Sequence, residues 1–131
     1  MKPPKTILLV DDDQAFVESN KNLLEAYGYD ILTAYDGASG FEIARTEHPD
    51  LMVLDVMITY DTEGFEIARK IREMPELDKM KVLLVSGIAK VKNLPFTLES
   101  VKGWLPVDRV LEKPIDPARF IAEIEKLLKE K

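Results

Sequence analysis

Cysteine is absent from this 131-residue chain. Disulfides, thiolate metal sites and cysteine nucleophiles are therefore excluded. Histidine is scarce as well: His48 is the only one, and it sits before Pro49 where a helix should end. We read it as structural and give it no catalytic role. No apolar run approaches the ~20 residues that a membrane span requires. Only Ile7, Leu8, Leu9 and Val10 separate the polar start of the chain from three aspartates, which is not the pattern of a signal peptide. A basic excess is missing too, since the formal net charge is -6. We therefore expect a cytoplasmic protein that touches neither nucleic acid nor membrane directly.

What is present is ordinary in amount and ordered in placement. Hydrophobic residues make up 46% of the chain and charged residues 32%, enough for one domain over residues 1–131 with a closed core. Residues 6–10 (Thr-Ile-Leu-Leu-Val), 51–54 (Leu-Met-Val-Leu) and 82–85 (Val-Leu-Leu-Val) are short apolar runs without helical period, and each reads as a buried strand. Residues 29–34 form a weaker strand, and residues 109–111 a short fifth one. Between them lie helical patterns. Asp13 caps a helix with Phe16, Val17, Leu23, Leu24 and Tyr27 on its inner face and Gly28 as its stop. Asp36-Gly37 reads as a turn, and Ala38, Phe41, Ala44 and Arg45 continue a short helix until Pro49. Phe65, Ala68 and Ile71 form a core stripe on a third helix that breaks near Pro75. Asp116 and Pro117 open the last helix, whose inner stripe is Phe120, Ile121, Ile124, Leu127 and Leu128.

Strand and helix alternate five times. Strands apolar throughout need both faces covered, and helical crossovers imply parallel pairing. The fold class is thus α/β: a doubly wound, parallel five-stranded sheet in the flavodoxin-like order 2-1-3-4-5, with helices on both faces.

In such sheets, ligands bind beyond the carboxyl ends of the strands at the switch in strand order. Strand 1 delivers Asp11 and Asp12 there, strand 3 Asp55, strand 4 Ser86, and strand 5 runs into Lys113. Two unit charges ~5 Å apart repel by about 3 kcal/mol at an effective dielectric near 20. A hard divalent cation, Mg²⁺ or Mn²⁺, removes that conflict with oxygen ligands and accepts a phosphate oxygen as a further one. Asp55 is then the candidate nucleophile toward phosphorus, Lys113 the cation that offsets developing charge, and Ser86 a hydrogen-bond donor to the same oxygens.

These pieces, Leu9-Val10-Asp11-Asp12-Asp13, Asp50 through Asp55, Val85-Ser86-Gly87 and Leu111-Glu112-Lys113-Pro114, occur in an order and spacing that resemble the receiver domain of two-component response regulators over nearly the whole chain. The type resembled is the single-domain one. The resemblance implies that Asp55 is phosphorylated by a sensor histidine kinase or a histidine phosphotransfer protein, and that a downstream target protein reads the result. It implies Mg²⁺ bound directly by Asp12, Asp55 and the backbone carbonyl of Met57, with Asp11 acting through water, and a cis Lys113–Pro114 bond. Met57 and Ile88 occupy the positions that set how long the phosphoryl group survives. Both are apolar and offer attacking water no hydrogen bond, so we expect slow self-dephosphorylation and no enzyme turnover beyond it.

Three departures stand out. The stretch after Met57 lacks the family's usual proline, and Val110 stands three places before the lysine where the family carries its switch aromatic. The run from Ser86 to Lys113 is also long. Its lysines, Lys90, Lys92 and Lys102, and its aromatics, Phe96 and Trp104, read either as ordinary packing or as an output surface. Two other function classes remain open: a phosphate-independent docking module, and a Mg²⁺-dependent aspartyl-phosphate hydrolase. The hydrolase class carries a second acid two residues after the nucleophile, and here that residue is Met57.

Overall fold

The computed structural model describes residues 4–55, 63–87 and 107–129. Along the chain run β1 (Thr6–Val10), α1 (Gln14–Ala26), β2 (Asp30–Ala34), α2 (Gly37–Glu47), β3 (Leu51–Asp55) and α3 (Glu63–Arg72). A 3-10 turn at Pro75–Leu77, β4 (Lys81–Gly87), β5 (Arg109–Lys113) and α4 (Pro117–Lys129) complete the described order. All pairings are parallel, and the strand order is β2-β1-β3-β4-β5, as the apolar strands and intervening helices require.

Because successive strand residues point to opposite faces, the central strands split their side chains between two cores. Ile7, Leu9, Leu51, Val53, Leu83 and Val85 meet Val17 and Leu24 of α1 and Phe120, Ile121, Ile124 and Leu127 of α4. Leu8, Val10, Met52, Leu54, Val82 and Leu84 meet Ala44 of α2 and Ile67, Ala68 and Ile71 of α3. Each fully buried Leu or Ile contributes roughly 1.5–3 kcal/mol, so β1, β3 and β4 form the rigid centre. Helix α2 approaches β1 closely: a Cβ on Gly40 would lie 2.8 Å from both γ-methyls of Val10.

Polar residues tie down the amino ends of the strands. Asp50 accepts the Thr6 N–H through Oδ2 at 2.8 Å, donates its own N–H to Thr6 O at 2.8 Å, and accepts from Lys81 N at 3.1 Å. Asp108 Oδ2 accepts from Val82 N at 2.8 Å and from the Arg72 guanidinium at 3.1 Å. Arg72 also donates to Met80 O at 2.8 Å. These bonds set the strand registers, and the registers bring the carboxyl ends level.

Two local expectations need correction. Tyr27 lies outside the inner face of α1 and is 58% exposed. It is the C-cap of α1, and the turn through Gly28 at φ 93° carries the chain away before the ring can fold inward. Asp36 is an N-cap whose carboxylate accepts from Ser39 N at 2.8 Å, so α2 begins at Gly37 itself. Arg45 continues α2 as expected; it faces solvent and pairs with Glu42 at 2.8 Å, a three-residue spacing on one exposed helix flank. The side chain of Phe65 and the segment 88–106, with the proposed output surface, lie outside the described residues.

Candidate functional site

The registers place the sequence candidates together. Val10 pairs with Leu54 on one side and with Ala34 on the other, and the Asp11 N–H extends that edge by bonding Ala34 O at 3.1 Å. Asp55 closes β3 opposite Val85, and Lys113 closes β5 opposite Gly87. Among the described residues, Asp11 and Asp55 are the buried polar ones, 1% and 0% exposed, whereas Asp12 faces solvent. One carboxylate oxygen from each of the three acids lies within 4.8 Å of the others.

Asp11 is held by both its oxygens. Oδ1 accepts the Asp13 N–H at 2.9 Å, and Oδ2 accepts from Lys113 Nζ at 2.6 Å. Asp13 in turn caps α1 by accepting from Phe16 N at 3.1 Å. A two-residue bend thereby fixes the direction of the first acid before the helix begins. Ligand oxygens on one Mg²⁺ at ~2.1 Å stand about 3–4 Å apart, so small side-chain rotations bring this oxygen set around a hard divalent cation. The donor chemistry fits such an ion.

Lys113 was expected over Asp55 or an incoming phosphoryl oxygen, and the ion pair observed for it is with Asp11. Its Nζ also lies 4.0 Å from the centroid of the Phe16 ring. The spacing of that residue predicts only a place on the core face of α1. Nothing local marks it as a neighbour of Lys113, because the two are far apart in sequence. The Lys113–Pro114 bond is cis, as expected. Val110 is half-buried and packs against the core cluster on the α2 and α3 face. Ser86 lies in β4 paired with Glu112, while its hydroxyl, the Met57 carbonyl and Ile88 lie outside what the structure describes.

Residues 7–125 match the family model of the response regulator receiver domain. The chain belongs to that family. Among curated relatives it is 33% identical over 126 residues to the alkaline phosphatase synthesis transcriptional regulatory protein PhoP of Bacillus subtilis, covering 95% of this chain and 49% of PhoP. It is 26% identical over 124 residues to the polar-differentiation response regulator DivK of Brucella ovis, covering 95% of this chain and 96% of DivK. The receiver therefore spans about half of the first relative and nearly all of the second. Among solved structures, a CheY-like response regulator receiver domain protein from Methanospirillum hungatei superposes with a TM-score of 0.81 at 29% identity, over 95% of this chain and 94% of that one. A putative response regulator from Chloroflexus aurantiacus gives a TM-score of 0.84 at 20% identity, covering 97% of this chain and 99% of the other, and that likeness concerns the fold. No helix among the described residues of this receiver domain is long and apolar enough to cross a membrane.

Proposed function

We propose that this receiver domain is a cytoplasmic, phosphorylation-dependent switch in which Asp55 accepts a phosphoryl group from a sensor histidine kinase or a histidine phosphotransfer protein. The observation that supports this most directly is the grouping of the Asp11, Asp12 and Asp55 carboxylates within 4.8 Å, with Lys113 held against them at 2.6 Å. Asp55 is buried at the end of a central strand, where the sheet holds its backbone in place. In the transfer, an Asp55 oxygen forms the new O–P bond while the bond from phosphorus to the donor nitrogen breaks. The departing imidazole keeps that electron pair and takes a proton from solvent.

Asp12, Asp55 and the Met57 carbonyl would hold Mg²⁺ or Mn²⁺, with Asp11 acting through water. The engagement of both Asp11 oxygens by Asp13 and Lys113 favours that division of labour. When bound, the cation supplies fixed positive charge against the phosphoryl oxygens. Lys113 meets one of those oxygens as charge develops on it, and the Ser86 hydroxyl donates to another. The product carries close to two negative charges at pH 7, which draws on the segment after Ser86 and alters the surface offered to a downstream target protein. Apolar Met57 and Ile88 leave attacking water unassisted, so the phosphoryl group decays slowly.

The test is incubation with acetyl phosphate and Mg²⁺ followed by intact mass measurement. The native chain should gain one phosphoryl group and Asp55→Ala none, and the adduct should persist after the donor is removed. Absence of an adduct would favour a phosphate-independent docking module. Continuous phosphate release would favour a hydrolase.

A further inference from the structure

The Lys113 ammonium has two neighbours of different kinds. One is the Asp11 carboxylate at 2.6 Å, and Lys113 and Asp11 are only 16% and 1% exposed in that pair. The other is the face of Phe16, with the ring centroid 4.0 Å from Nζ. An ammonium carries three N–H donors and no acceptor. Asp11 takes one. The ring attracts the charge through its quadrupole, yet it contributes no oxygen that would compete for a donor.

The ring is itself held from two directions. Its backbone N–H is bound by the Asp13 cap at 3.1 Å, in the first turn of α1. The ring also meets Phe120 of α4, with centroids 6.5 Å apart and planes tilted by 51°, within the range that aromatic pairs favour. Phe16 packs against the core cluster that contains Val17, Phe120 and Leu111. Thus a rigid apolar plate stands beside a flexible four-carbon side chain whose rotamers would otherwise scatter the charge.

We propose that Phe16 is a positioning residue for phosphoryl transfer: its ring holds the Lys113 ammonium at the level of the Asp11 carboxylate with a donor left for the incoming phosphoryl oxygen. A leucine would fill much of the same volume but provide no attraction for the cation. An acid or amide would attract the ammonium but take a further donor for its own oxygen. Phenylalanine does the first without the second. The inference rests on Asp55 being the phosphoacceptor.

The experiment compares the initial rate of acetyl phosphate-dependent adduct formation in the native chain, in Phe16→Leu, and in a chain carrying 3,4,5-trifluorophenylalanine at position 16. Fluorination drains the face of the ring while nearly preserving its shape. Both changes should slow phosphorylation by roughly threefold to tenfold, the scale of a cation–π contact that is partly open to solvent. In a Lys113→Ala background the same two changes should have almost no further effect, because the contact they weaken is already gone. Native-like rates in the fluorinated chain would overturn the role of Phe16, as would equal slowing with and without Lys113. The fluorinated chain decides the matter if Phe16→Leu folds poorly. An unphosphorylated native chain would instead overturn the Asp55 reading, and this inference with it.

Discussion

Lys113 Nζ lies 2.6 Å from Asp11 Oδ2, joining the last strand to the first across 102 positions of sequence. Asp11 is almost wholly buried, so removing the lysine strands a carboxylate among two others. Breaking a buried pair by deleting one partner costs about 3–5 kcal/mol, and the partial exposure of Lys113 lowers this. Lys113→Ala should lose about 2–4 kcal/mol in urea unfolding without divalent cations. Added Mg²⁺ should raise its melting temperature more than that of the native chain, because it replaces the missing charge.

Asp12 is the exposed member of the acidic group. Repulsion at ~5 Å is worth about 3 kcal/mol at an effective dielectric near 20, and less when one partner is solvated. Asp12→Asn should therefore stabilise the cation-free domain by about 0.5–2 kcal/mol while abolishing the thermal shift that Mg²⁺ produces. A stability loss accompanied by an intact Mg²⁺ response would contradict the grouping of charge described above.

Gly40 is required by its neighbour more than by its backbone. Alanine is favoured over glycine in a helix by about 1 kcal/mol, but here its methyl would stand 2.8 Å from Val10, and Val10 is buried. Overpacking of this sort costs about 1–3 kcal/mol. Gly40→Ala should lower stability by about 1–2 kcal/mol in denaturant titration. In a Val10→Ala background, the same change should stabilise.

Asp108 collects two donors, Val82 N and the Arg72 guanidinium. A buried donor left without its acceptor costs about 1–3 kcal/mol. Asp108→Ala should cost about 2 kcal/mol in urea unfolding. Asp108→Asn, which keeps an oxygen for Val82, should cost less than half as much.

Tyr29 carries the pH prediction. Burial, and secondarily the charge of Glu125, raise its phenol above the ordinary value of 10.0. The folded chain keeps this proton to higher pH than the unfolded chain does. The associated stability is complete below pH 10 and is lost as pH rises toward the raised folded value. Tyr29→Phe should therefore gain on the native chain as pH climbs above 10, and the two should run parallel below it, as followed by urea midpoints.

The strands were legible because Leu-Met-Val-Leu or Val-Leu-Leu-Val buried on both faces has no other home in a chain this short. The acids at their ends were legible because the strand order sends those ends to one place. What escaped were contacts without local pattern. Asp50 looked like part of a motif rather than a staple, since its partner Thr6 is 44 residues away. Arg72 and Asp108, 36 apart, offered no signal at all. Tyr27 fitted the helical stripe and was misread because spacing says nothing about a cap that diverts the next turn. Phe16 was placed on the right face, but its spacing could not show which neighbour that face would meet.

β5 stands last in the strand order, while Asp11 and Asp55 extend from strands enclosed on both flanks. Peripheral segments open at lower free energy than central ones. Were β5 to fray before its neighbours, the amine would leave the acids first, and on the proposed mechanism such a molecule would be folded and acidic yet slow to accept a phosphoryl group. On that reading the grip of one border strand would set the share of such chains, and responsiveness could be retuned there with every acid and the amine left in place.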